Sequence, residues 1–324
     1  MAAVRLGAGL GIALAVGAAA GGWWLPAAVG LAGVLVLLAP RAELPSRVAP
    51  LADGARLVAR LGLVPVFASA VGVYLVPQYR VPVAVGVVVV VTMVDAFGLV
   101  LPRFVRGWIL GILLLAAAGV IALCLAIAPE RGAGQGPAVT GLFAAAAVLV
   151  PLLGRPVRWT VGGVMAGAAV CAVALYQLGP VRLGLSDAPL RDLLAAVDGQ
   201  AIEPLLAGVV VIAAVPAALG ALTEARGDLP RPVGSVVCGL LAAAGAALLE
   251  PRQAVLVAAT LAVAEVLVRS LLTLSARRRD VRSVLSAALA ITLLAWLPPV
   301  DLLIAVAAIA VGVLLRRPAP SPAR

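Results

Sequence analysis

The sequence predicts an all-α polytopic membrane protein with about ten to twelve transmembrane helices, and three observations predict it. Hydrophobic residues make up 64% of the 324 and charged residues 12%. A water-soluble domain has roughly half and a quarter, so polar side chains here are too few to cover a globule, and mean hydropathy reaches +1.18. The apolar residues also run without alternation, as in 87–91, all valine, and 144–150. A membrane barrel alternates polar and apolar along each strand, whereas helices satisfy their own backbone groups in lipid. The third observation is the placement of arginine, which concentrates in every second segment between the apolar runs.

Those runs are 4–20, 24–38, 57–76, 81–101, 108–128, 138–153, 160–178, 205–222, 233–249, 254–274, 284–297 and 302–315. The first pair and the last pair are short, so each reads either as two thin helices or as a re-entrant hairpin. With the N-terminus cytoplasmic, the inner segments hold Arg5, Arg41, Arg47, Arg56, Arg60, Arg103, Arg106, Arg155, Arg158, Arg226, Arg231, Arg277, Arg278, Arg279, Arg282, Arg316, Arg317 and Arg324. The outer segments hold Arg80, Arg131, Arg182, Arg191 and Arg252. That positive-inside asymmetry predicts a multi-pass protein of the inner (plasma) membrane with both termini cytoplasmic. It fits ten crossings or twelve.

Trp23, Trp24, Trp108, Trp159 and Trp296 fall at run ends, where the amphipathic ring favours the headgroup region. Pro65, Pro151 and Pro216 lie within runs and are expected to kink or interrupt their helices. Residues 1–22 have the outline of a signal peptide, but apolar character resumes at Trp23 and predicts a retained first helix. In the long polar stretch 179–204, Ser186 or Asp187 can cap a short amphipathic helix at the outer interface. The expected organisation is one transmembrane domain, 1–317, and a Pro-rich disordered tail, 318–324.

Chemistry-bearing residues are sparse. There is no His, and Cys124, Cys171 and Cys238 stand singly in apolar runs, so no metal and no cofactor are expected. No nucleophile or phosphate-loop motif occurs, which argues against an enzyme. The net charge of +10 could suit nucleic acid, but the arginines sit in short segments between apolar runs, so the expected partner is the lipid bilayer. Asp187, Asp192, Asp198 and Glu203 could hold a cation on the outer face, although a solvated face explains them as well.

Asp95, Glu265 and Arg269 are charges within apolar runs. Each costs on the order of 2.5–3.5 kcal/mol to insert. Glu265 and Arg269 are spaced to pair on one helix face, either as a structural pair or as a gating element. Asp95 is expected to bond Thr92 or a neighbouring helix, or to carry a proton.

The order of motifs from Val91 onward resembles the amino acid–polyamine–organocation (APC) permease superfamily. Val91-Thr92-Met93-Val94-Asp95-Ala96-Phe97-Gly98-Leu99, then Arg103-Phe104-Val105-Arg106, is similar to that family's fourth helix and following turn, with Asp95 where Asn is frequent. Gly184-Leu185-Ser186-Asp187-Ala188-Pro189-Leu190 is similar to the outer segment before its eighth helix. Ala221-Leu222-Thr223-Glu224-Ala225-Arg226-Gly227-Asp228-Leu229-Pro230 is similar to the end of that helix, and Arg41-Ala42-Glu43-Leu44 weakly echoes the second. The resemblance implies an inverted-repeat bundle with substrate held where the first and sixth helices unwind. It places Gly17, Gly21, Gly22 and Phe143 at such a site, though close helix packing explains the glycines too. The family's first-helix Gly-Ser-Gly-Ile-Phe is absent, and the sixth segment is shorter.

Two functions follow from this. One is a secondary transporter of a small amino acid or amine; the other is a non-transporting scaffold or partner subunit that retains the fold. Broken helices near Gly17–Gly22 and Phe143 favour the first, and continuous ones the second. Oligomeric state is left open.

Overall fold

A computed structural model describes residues 2–40, 44–45, 48–99, 102–128, 139–153, 157–227, 229–276 and 280–316. The segment 318–324 lies outside the described residues, as do Arg41, Arg47, Arg131, Arg155, Arg277, Arg278, Arg279, Arg317 and Arg324. Among the described residues the structure is helical and holds no strand.

The helices are α1 (Ala2–Gly21), α2 (Leu25–Leu38), α3 (Ala49–Leu61), α4 (Leu63–Leu75), α5 (Arg80–Ala96), α6 (Arg103–Ala126), α7 (Gly141–Leu149), α8 (Val157–Leu185), α9 (Pro189–Ala196), α10 (Glu203–Arg226), α11 (Val233–Leu248), α12 (Pro251–Ala276), α13 (Val281–Ala295) and α14 (Pro299–Arg316). Each expected apolar run corresponds to one helix or, for 57–76, to the joined α3 and α4. Among the described residues, eight stretches are long and apolar enough to cross a membrane, and α7, α11 and α13 are shorter. Proline opens many of these helices: Pro26, Pro50, Pro189, Pro204, Pro251 and Pro299 lie in or at the first turn. There the missing N–H costs no hydrogen bond.

The expected interruptions vary in outcome. Pro151 sits in the 3-10 turn that ends α7, and α4 restarts just before Pro65. Pro216 leaves α10 continuous. The sharpest break is at Gly179 in α8, with φ 70° and ψ 165°, one residue before Pro180.

The helices pair in an ordered way. α1 and α2 form a splayed hairpin with α8 against both. Leu6 and Val29 both meet Gly167, while Ala19 meets Gly184, so α8 runs parallel to α1 and antiparallel to α2. α7 is antiparallel to α1: Gly21 meets Ala145 at one end and Gly9 meets Leu152 at the other. α5 is antiparallel to α11, through Thr92 against Gly239 and Asp95 against Ser235. α10 runs antiparallel to α3 and α4, with Glu224 near Arg60 at one end. At the other end Arg191 joins the Tyr74 carbonyl to Glu203.

Leu25, Leu35, Leu63, Phe67 and Leu175 are among the fully buried side chains of the shared core. Only 11% of the apolar stretch of α6, and the same of α14, is buried. Their outward Leu115, Leu125, Leu303 and Val306 form an apolar perimeter that water would not tolerate at this extent. A lipid bilayer is the matching environment.

Candidate functional site: an arginine-lined vestibule

A cavity of about 440 Å³ opens between α1, α2 and the end of α7 on one side and α3, α10 and α12 on the other. Its walls include Arg5, Arg56, Arg60, Arg269, Glu224 and Glu265, with apolar Val36, Val150, Leu153 and Val266 between them. At about 1.5 Å per residue, Arg5 stands about 24 Å from the far end of α1, Arg60 about 22 Å from that of α4, and Glu265 about 21 Å from the start of α12. Glu224, which bonds Arg5 and Arg60, stands about 31 Å from the start of α10, so the charges gather toward one end of the bundle.

Charges buried among apolar helices need partners. Glu224 receives Arg5 in a hydrogen-bonded ion pair and Arg60 at 3.3 Å. Glu265 takes Arg60 at 3.6 Å and Arg269 at 3.5 Å. The expected Glu265–Arg269 pair is therefore present, but it does not neutralise itself in isolation; Arg60 links it to Glu224. Arg56 lines the wall without an ion pair among the described residues. The Nε–H of Arg5 is buried without a hydrogen-bond acceptor, while the Nε atoms of Arg60 and Arg269 are the ones that face Glu224 and Glu265. Arg5 is 5% exposed and Glu265 is 7%. The walls thus carry four guanidinium groups against two carboxylates.

Arg5 and Arg60 stand inside apolar runs in the sequence, so the signal for them was available. Assigning them to the inner loops on charge asymmetry alone hid it. They lie within α1 and α3.

The vestibule is closed at the opposite end. The Tyr74 hydroxyl donates to the Gly11 carbonyl at 3.2 Å and accepts the Leu190 N–H at 3.2 Å. This ties α1, α4 and the first turn of α9 together. α9 is the short helix expected in 179–204, but neither Ser186 nor Asp187 caps it; Ala188 holds that position with no side-chain bond. Ser186 instead donates to Asp192. Leu193 and Leu194 are buried, so the helix docks its apolar face on the bundle. The outer carboxylates have cationic partners in part: Asp187 pairs with Arg252 at 3.4 Å and Glu203 with Arg191. Among the described residues no three metal-binding side chains gather.

Asp95 bonds neighbouring helices. Arg226, Thr223 and Ser235 converge on it, while Thr92 donates to the Val88 carbonyl instead.

Gly17, Gly21, Gly22 and Phe143 are not in the vestibule wall. Gly22 has φ 52° and forms the corner between α1 and α2. A Cβ on Gly17 would lie 2.6 Å from Leu25 Cδ1, and one on Gly21 2.7 Å from the Ala145 Cβ. Phe143 stacks on Trp296 with ring centroids 6.3 Å apart. The backbone break expected at membrane depth therefore sits at the end of α1, where the chain turns back. α1 itself is helical from Ala2 to Gly21.

No family model matches the chain, and no curated protein matches it.

Proposed function

We propose that the chain is a secondary transporter-like protein of the inner membrane, with an APC-permease-like inverted-repeat bundle and its substrate path open on the cytoplasmic side. The observation that carries this reading is the vestibule. Several paired charges at membrane depth are costly, and such charges usually face a water-filled path rather than a sealed core. The helix pairing supports an inverted repeat: α1 with α7, α2 with α8, α4 with α10 and α5 with α11 each pack antiparallel on the helix six places on. Two halves of opposite topology meeting about a shared centre would pack in this way. The arginine asymmetry supports a cytoplasmic position for the vestibule end and both termini, with all twelve apolar elements crossing.

The substrate on this reading is a small polar solute of the amino acid class. The test is uptake by purified protein in liposomes over a panel of amino acids, dicarboxylates and polyamines. Saturable uptake of one class supports the proposal; none across the panel retires it.

A second reading, a non-transporting scaffold, is favoured by the unbroken α1. A transporter that holds substrate on free backbone groups unwinds such a helix at mid-membrane.

A further inference from the structure

We infer that the vestibule is an anion site that takes a carboxylate- or phosphate-bearing ligand. The inference rests on the transport reading only for the claim that the bound group moves; binding stands on the geometry below.

Among the described residues, Arg5, Arg56, Arg60 and Arg269 face Glu224 and Glu265 across the cavity, a surplus of two positive charges. Both carboxylates are already shared, Glu224 between Arg5 and Arg60, Glu265 between Arg60 and Arg269. One buried Nε–H donor, that of Arg5, remains without an acceptor, while the Nε atoms of Arg60 and Arg269 face Glu224 and Glu265. A buried donor with no partner is unfavourable, and guanidinium matches the paired oxygens of carboxylate and phosphate. Arg5, on α1, is the most deeply buried of the four. The cavity's 440 Å³ lies in the range that encloses a small organic ligand. An amine finds two carboxylates that are both engaged and meets the surplus of like charge. The geometry therefore selects against the amine half of the expected substrates.

The ligand's anionic group could belong to a soluble solute or to a lipid headgroup, and the experiment separates them. The full chain is purified in neutral detergent, and its melting temperature and calorimetric binding are measured with succinate, inorganic phosphate, short-chain phosphatidylglycerol and putrescine. Succinate or phosphate should raise the melting temperature and putrescine should not. A rise with phosphatidylglycerol alone supports the anion site and assigns it to a headgroup. Arg56→Gln, at an exposed position without an ion pair, should stay folded and weaken binding by about tenfold, the loss of one charge-assisted contact. Arg60→Lys should also weaken it, because the charge remains but the paired donors do not. The inference is overturned if no anion shifts the melting temperature, if putrescine shifts it equally, or if both variants bind as the native chain does. Anion binding without uptake in liposomes removes the transport reading and leaves the site. Amine uptake without anion binding does the reverse.

Discussion

Asp95 and Arg226 meet through Oδ2 and Nε at 3.1 Å although 131 positions separate them, and both are buried. Ser235 donates to the same carboxylate oxygen at 2.6 Å and Thr223 to the other at 2.9 Å. Arg226 also donates to the carbonyls of Gly227 and Leu229, at 3.2 and 3.0 Å. The group joins α5, α10 and α11 with its donors and acceptors engaged, which suits a fixed clamp better than a proton carrier.

Removing the carboxylate should therefore be costly. Asp95→Ala is expected to lower stability by about 3–5 kcal/mol, because it strands a buried guanidinium. Asp95→Asn should cost less, since its amide oxygen still accepts from Ser235 or Thr223. Asp95→Ala combined with Arg226→Leu should recover part of the loss. Melting temperatures in detergent report all three; an unchanged value for Asp95→Ala would mean that water reaches the pair.

Glu265 differs in having two cationic partners. Glu265→Ala should reduce folded yield, and adding Arg269→Ala should restore only part of it, because Arg60 is still left facing the vacated position. Full restoration by the double variant, read as monodisperse yield on a sizing column, would show that Arg60 takes no share.

A third expectation concerns close packing. A Cβ at Gly141 would lie 1.9 Å from the Ala20 carbonyl oxygen, whereas one at Gly111 meets nothing within 4 Å. Gly141→Ala should destabilise by at least about 1–3 kcal/mol, the typical cost of overpacking. Gly111→Ala, on exposed α6, should be neutral or slightly stabilising. Equal melting temperatures for the two variants would contradict the α1–α7 contact.

The topology is testable by reporter fusions after Arg279 and after Arg324. Both should read as cytoplasmic. An external signal at either site would mean that one apolar element does not cross.

Much of the helical layout was legible in the sequence, because apolar runs, prolines and arginines mark helix ends by local physics. The Glu265–Arg269 pair was legible for the same reason: its partners share one turn of spacing. Asp95's partners were not, since no local rule selects Arg226 or Ser235 across two other helices. Arg5 and Arg60 were obscured differently. An arginine near a run end suits a loop and a vestibule equally well, and only the packing of α1 and α3 beside Glu224 decides between them. The glycines at 17–22 signalled close backbone approach, but sequence alone could not say whether the break they permit would fall at mid-membrane or at a corner.

The backbone contact between Gly21 and Gly141 has a mechanical consequence. With no side chain between them, α1 and α7 are pinned at that end, and the opposite end of α1, packed through Leu6 and Gly9, carries Arg5. A rotation of about 10° about the pin moves Arg5 through about 4 Å, given about 24 Å of helix between them. Gly21 hardly moves. A shift of that size is enough to break the contact with Glu224 and free a guanidinium, so a small change of angle at one side of the membrane would be read as a change of charge pairing near the other.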